Sequence, residues 1–388
     1  MYGIPFLLTL EVATRLDQAI EYGAPVLGRY TYESRLYTLD QYGLTGRPHG
    51  HYEKWSLNAM GFRGPEIDSL PPEGVVRVVC LGASETFGLY ETPGKEWPRQ
   101  LEGLLRARGY GVEVVNVALA GMTLESRVEH FRRRIARLKP DIVVLMLEYA
   151  SYGGVRDNVQ RDTNSALDRA ATTLTSKSGA WELQLRVVRK MKDALFPRLP
   201  AVIRAPVHDL QVRFKLYRIR RALGQRFQSA RQVSDAQVRA YSADVERFVA
   251  AARAQGVRVM LVAPALRIDE ETVLDLAANW ALIDDNWLVE AKGRFYDVTW
   301  QMAIARRVPL LDLDPLIAPH RREWMADAFH FTDAGAKVVA DAVAQGLRPL
   351  FQEAGEAALE REVAAGVAPS AAARGEGGRG FPRATRDH

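Results

Sequence analysis

The sequence predicts an α/β fold, with a parallel sheet covered by helices on both sides, and three observations point there. Four runs rich in Val, Ile and Leu, at residues 75–81, 112–117, 141–147 and 257–262, are apolar at successive positions, as strands buried on both faces are. Between them lie stretches with the 3.6-residue spacing of amphipathic helices. The chain of 388 residues is 47% apolar, enough for a sizeable core in one large domain with an insertion, or in two domains.

Along the chain, residues 1–70 read as an N-terminal extension with its own tyrosines and a turn-rich segment, Asn58-Ala59-Met60-Gly61-Phe62-Arg63-Gly64-Pro65. Pro71-Pro72-Glu73-Gly74 forms a hinge into the first strand, and the main domain is expected over residues 71–350. Helices are expected at 97–108, 124–138, 235–254, 287–306 and 333–347, and a shorter fifth strand at 308–313. The alternation breaks at about residues 152–233, which read as a basic helical insertion. There Arg186, Arg189, Lys190, Lys192, Arg213 and Lys215 are interleaved with apolar residues such as Val187, Phe214 and Tyr217. This pattern fits first the solvated face of amphipathic helices and second a site for anionic polymer or lipid headgroups. From about residue 351 to 388 the chain turns Ala-, Gly- and Arg-rich, the composition of a largely disordered tail.

Charge and cysteine content narrow the classes. A net charge of +5 arises from 52 basic and 47 acidic residues mixed along the chain, so no nucleic-acid partner is expected. Cys80 is the only cysteine and lies in an apolar run, which excludes an intrachain disulfide and a cysteine-rich metal site. No histidine pair has metal-ligand spacing, and no metal or other cofactor is expected. Neither a Gly-x-Gly-x-x-Gly segment after the first strand nor a phosphate loop with its lysine is present, which argues against nucleotide binding. The apolar stretch of residues 4–10 is far shorter than the roughly 20 residues that span a bilayer. It reads equally as a buried or partner-packed helix, the end of a longer membrane helix, or a segment resting on a membrane surface.

The chemistry concentrates at two places. Ser84 follows a strand and Gly82, where a hydroxyl can point out of the sheet while its own N–H faces a substrate carbonyl; a helix-capping serine is the plainer alternative. Asp327 stands three residues before His330, and Thr332-Asp333-Ala334-Gly335 follows as a helix start. In that spacing a carboxylate accepts the Nδ1 proton of the ring and leaves Nε2 to take a proton from an alcohol.

Gly82-Ala83-Ser84-Glu85-Thr86-Phe87-Gly88, Asn116-Val117-Ala118-Leu119-Ala120-Gly121 and Asp327-Ala328-Phe329-His330 follow one another as the blocks of the SGNH/GDSL hydrolase superfamily do, and over about residues 74–348 the chain resembles that superfamily. Asn58 to Gly64 also resembles a segment found before this domain in bacterial envelope members. The resemblance implies a flavodoxin-like three-layer α/β/α sandwich and hydrolysis of acetyl or acyl esters on carbohydrate or lipid carriers. It makes Ser84 the nucleophile, His330 the base, Asp327 its orienter, and the N–H groups of Ser84 and Gly121 oxyanion donors. Periplasmic or membrane-associated placement is implied as well, whereas a chain that truly starts at Met1 implies a cytoplasmic one.

Two departures qualify the likeness. Ala83 replaces the acid that precedes the nucleophile in the superfamily, and Ala150 stands where its oxyanion asparagine is expected, with Glu148 at a common glycine. Loss of one oxyanion donor costs about 3 kcal/mol of transition-state stabilisation. Ser151 or Asn158 would have to supply the third donor. The other reading is a weak or inactive member that binds polysaccharide, lipid or a protein partner.

Overall fold

A computed structural model describes residues 3–28, 30–40, 43–149, 152, 232–269, 272 and 285–351, with positions 185–187, 190, 191, 206, 210, 213, 214 and 217. Most of the expected insertion and tail therefore lie outside the described residues.

Five strands form the central sheet: β5 Val76–Leu81, β6 Val112–Asn116, β7 Ile142–Met146, β8 Arg258–Ala263 and β9 Leu310–Asp312. All pair in parallel, in the order β6-β5-β7-β8-β9. Successive side chains enter different cores. Val78, Cys80, Val144 and Val262 pack under helices α4 (Trp97–Ala107) and α10 (Asp333–Gly346), the latter preceded by the short helices α8 (Asp314–Ile317) and α9 (Arg321–Trp324). Val79, Leu81, Val143 and Leu261 pack under α5 (Leu124–Arg133), α6 (Asp235–Arg253) and α7 (Asp285–Arg306). These two cores make the molecule a three-layer α/β/α sandwich.

The strand order explains which helix lies on which side. Parallel crossovers are right-handed, so the step from β5 outward to β6 puts α4 on one face, and the later steps in the opposite direction put α5, α6 and α7 on the other. The chain reverses direction beside β5, and in such sheets the carboxyl ends at the reversal leave a crevice open to ligands.

Helix boundaries fall within two residues of expectation except after β6. There the helical run splits into α5 and a 3₁₀ turn, Ile135–Leu138, at Arg134. Lys139, the residue before Pro140, then adopts a left-handed conformation, φ 50°, and the helical run ends there.

Before the sheet come α1 (Gly3–Tyr22), α2 (Tyr32–Leu36) and two antiparallel hairpins, β1 Tyr37–Asp40 with β2 Gly43–Gly46 and β3 His51–Tyr52 with β4 Trp55–Ser56. Thr31 and Ser34 form a reciprocal capping box that starts α2. Tyr30, Leu36, Tyr37, Tyr52 and Phe62 are buried in the same apolar cluster as Val79 and Leu81. Asn58 organises the following turn: its Oδ1 accepts from the N–H groups of Met60 and Phe62, and its Nδ2 donates to Pro65 O. Gly46 and Gly61 pack backbone to backbone, since a Cβ on Gly46 would lie 1.9 Å from Gly61 O. Among the described residues, no helix is long and apolar enough to cross a membrane.

Candidate functional site

β5 delivers Leu81, Gly82 and Ala83 to the carboxyl end of the sheet, and Ser84 opens a four-residue helical turn, α3 (Ser84–Phe87). Gly82 is required by space, because a Cβ there would stand 2.0 Å from Thr86 Oγ1. Glu85 folds back so that its Oε1 accepts from Ala83 N–H at 2.8 Å, which places a buried carboxylate at the turn although residue 83 itself is alanine. The Ser84 hydroxyl is not spent on capping. Its Oγ lies 2.8 Å from Nε2 of His330.

The far segment reaches that serine on a tightly pinned turn. Nδ1 of His330 lies 2.8 Å from the Asp327 carboxylate, whose Oδ1 also accepts from the backbone N–H groups of Phe329 and His330 at 2.9 Å. Ala326 N–H donates to His330 O, and Thr332 caps α10 by accepting from Gly335 N–H. Gly335 has no room for a side chain, since a Cβ would meet Trp324 O at 1.9 Å. The Tyr90 ring packs against the imidazole at 5.1 Å between centroids.

Electrostatics favour a chargeable ring. Burial opposes the imidazolium, but the hydrogen bond and charge of Asp327, with Glu85 and Glu91 adding to them, hold the His330 pKa above its ordinary 6.5. Asp327 goes the other way. Burial would raise it, yet His330 and the two backbone N–H groups keep it below 3.8. Hydroxyl, imidazole and carboxylate thus stand in line, an arrangement that can pass a proton from the alcohol to the ring while the ring's charge is stabilised.

Gly121 lies in the loop after β6, the strand beside β5, with φ 84°. Asn116 joins that loop to the Ser84 turn: its Nδ2 donates to Thr86 O at 2.8 Å and its Oδ1 accepts from Ala118 N–H. Fully buried Arg127 ties three elements together, donating to Met122 O and Met146 O with its guanidinium 3.8 Å from Glu85. Glu148 accepts from the N–H of Leu124, the first residue of α5. Ala150, Ser151 and Asn158 lie outside the described residues.

The N-terminal segment enters this site more deeply than its sequence suggests. Tyr37 OH donates to Ala120 O at 2.8 Å, next to Gly121. Arg63 donates to Gly88 O at 2.9 Å, pairs with Glu96 at 3.6 Å and stacks on Phe87, while its own N–H reaches Asn116 O. Lys54 donates to the carbonyls of Tyr90 and Glu91. Glu91, buried behind that loop, has its pKa raised to about 7 by burial, partly offset by its backbone hydrogen bonds and by the charges of His330 and Arg63. Asn116 and Arg63 stand within segments the sequence already marks; for Tyr37 and Glu91 the local pattern carries no signal. Among the described residues, no three His, Cys, Asp or Glu side chains gather as metal ligands.

A model of the GDSL-like lipase/acylhydrolase family matches residues 80–338. No curated protein matches. Among solved structures, the lipase/acylhydrolase from Enterococcus faecalis is 14% identical over 70% of this chain and 95% of that one, with a TM-score of 0.41. A mutant of an acetyl-xylooligosaccharide esterase from Geobacillus is 13% identical over 70% and 94%, with a TM-score of 0.40. A psychrotrophic esterase from Pseudoalteromonas is 10% identical over 71% and 98%, with a TM-score of 0.40.

Proposed function

Because the chain belongs to the GDSL-like lipase/acylhydrolase family, we propose that it hydrolyses esters through an acyl group carried on Ser84. Oγ attacks the acyl carbon as Nε2 of His330 takes its proton, and Asp327 holds the ring and stabilises the imidazolium. The carbonyl oxygen becomes an oxyanion that accepts from the N–H groups of Ser84 and Gly121. Collapse breaks the ester bond, and the alcohol leaves with the proton from His330. Water then gives a proton to His330 as it attacks the acyl carbon; the second collapse returns that proton to Ser84 Oγ and frees the acid. The substrates fit the class of acetyl or acyl esters on carbohydrate or lipid carriers.

What supports this reading is one unbroken line of contacts, Asp327 to His330 to Ser84, each at 2.8 Å. Ala150 at the expected asparagine position favours a second reading, a member that binds such a carrier or a protein partner with little turnover. A fluorophosphonate probe separates them. Labelling of wild type and not of Ser84→Ala, together with aryl-ester hydrolysis that His330→Ala abolishes, is the expected result. Well-folded protein that neither labels nor turns over gives the binding reading its place.

A further inference from the structure

Helix α1 is built inside out. Its buried face is polar: Glu11, Thr14 and Gln18 turn inward, where Glu11 accepts from Val187 N–H and Gln18 meets Arg186, which also donates to Pro25 O. Its outward face is apolar. Leu8, Val12, Leu16 and Ile20 follow one another at i+4 spacing, and all are exposed, Ile20 to 87%. Asp17, at the edge of this face, is paired with Lys190.

A second exposed apolar set lies further along the basic stretch whose residues Arg186, Val187 and Lys190 contact α1. Leu210, Phe214 and Tyr217 occupy helical positions at i, i+4 and i+7 and are exposed to 68%, 61% and 58%. The sequence from 183 to 221 holds eleven Lys and Arg against two Asp. Exposed apolar side chains within a sequence so rich in positive charge match a surface that is apolar within and anionic at its rim. A second copy of the chain would meet like charge there.

We propose that α1 and the Leu210–Tyr217 stripe seat the protein on an anionic phospholipid bilayer, with α1 lying in the headgroup boundary. The contacts of Glu11 and Gln18 set this orientation, because they hold the polar side of the helix against the protein and leave only the other side for lipid. The seat is independent of whether Ser84 turns over esters.

Flotation of the full chain with extruded vesicles tests the proposal, using phosphatidylcholine alone and phosphatidylcholine mixed with phosphatidylglycerol. Binding to the mixed vesicles, weakened by added salt and by at least about tenfold in Val12→Glu/Leu16→Glu, is expected, with little binding to neutral vesicles. Circular dichroism and fluorophosphonate labelling of that variant report whether the fold and the Ser84 site are intact. No vesicle binding, equal binding by the variant, or equal binding to neutral vesicles overturns the proposal. So does a dimer in light scattering that the variant dissolves while vesicles bind neither protein.

Discussion

Arg63 and Gly88 are joined by a hydrogen bond of 2.9 Å from the guanidinium to the carbonyl, which fastens the turn around Asn58 to the residue that ends the Ser84 helix. Gly88 is left-handed, φ 83°, and a Cβ there would lie 2.5 Å from Glu96 Cβ, so the carbonyl has little freedom of its own. Arg63→Ala leaves Glu96 buried without its cation and is expected to cost about 3–5 kcal/mol. Arg63→Lys is the sharper test, since an ammonium can keep Glu96 neutralised without the planar fork that also fixes Gly88 O. Its expected effect is a kcat lowered several-fold at nearly constant KM, with about 1 kcal/mol lost in urea unfolding. Unchanged kcat in a folded Arg63→Lys protein would separate the segment from catalysis.

The same reasoning applies to Tyr37 at the neighbouring loop. Its hydroxyl donates to Ala120 O, buried, one residue before the proposed oxyanion donor Gly121. Tyr37→Phe keeps the ring in its cluster with Tyr32 and removes that bond together with the longer one to the Tyr32 hydroxyl at 3.3 Å, at a cost of about 1 kcal/mol of stability. If the carbonyl helps aim the Gly121 N–H, kcat falls and KM holds; a purely structural bond moves the unfolding midpoint alone.

Asp327→Asn gives a pH signature. The base works as neutral imidazole, and the raised His330 pKa puts the acidic limb of kcat/KM above 6.5 in wild type, with activity climbing as pH rises through it. Asparagine removes the leading favourable contribution to the imidazolium while burial remains, so the limb moves to lower pH. The plateau should fall by roughly 10³–10⁴-fold, because the amide no longer holds the ring in the useful tautomer or stabilises its charge. Steady-state profiles of both proteins check this; a limb at the same pH in each would remove His330 from the role of base.

How much of this could be read from the sequence follows the range of the forces involved. The strands are legible because burial on both faces leaves runs rich in Val, Ile and Leu, and the Ser84 turn and the Asp327–His330 spacing because each is local, with a glycine that must be small, a carboxylate three residues from its ring and a capping threonine; that the two meet across 246 residues is legible only through the family resemblance. The hairpins of residues 37–56 were not, as strands of two to four residues carry too little alternation to announce themselves. Nor was the reach of Tyr37 to Ala120, across 83 residues, because a tyrosine hydroxyl has many acceptors and only packing selects one. The apolar stretch at 4–10 is legible as far as Leu10; its continuation to Tyr22 is hidden because the inward side of α1 is polar.

Glu91 extends the argument from catalysis to stability. It is 1% exposed, one carboxylate oxygen accepts from Tyr90 N–H, and Oε1 has no protein hydrogen-bond partner. Its pKa of about 7, against an ordinary 4.5, means that folding favours the protonated form. Below pH 4.5 both states hold the proton and its stabilising effect is complete. As pH rises towards 7 the unfolded chain ionises first, the folded state holds more protons, and stability declines by up to about 3 kcal/mol. Glutamine mimics the protonated acid, so Glu91→Gln should equal wild type near pH 4.5 and exceed it increasingly up to pH 8 in urea midpoint. The kinetic profile should shift too, since the ionised carboxylate near His330 helps keep the ring protonated: the acidic limb of Glu91→Gln is expected at lower pH than wild type, by less than in Asp327→Asn. Parallel stability curves for the two proteins across this range would show that Glu91 is already ionised in the fold.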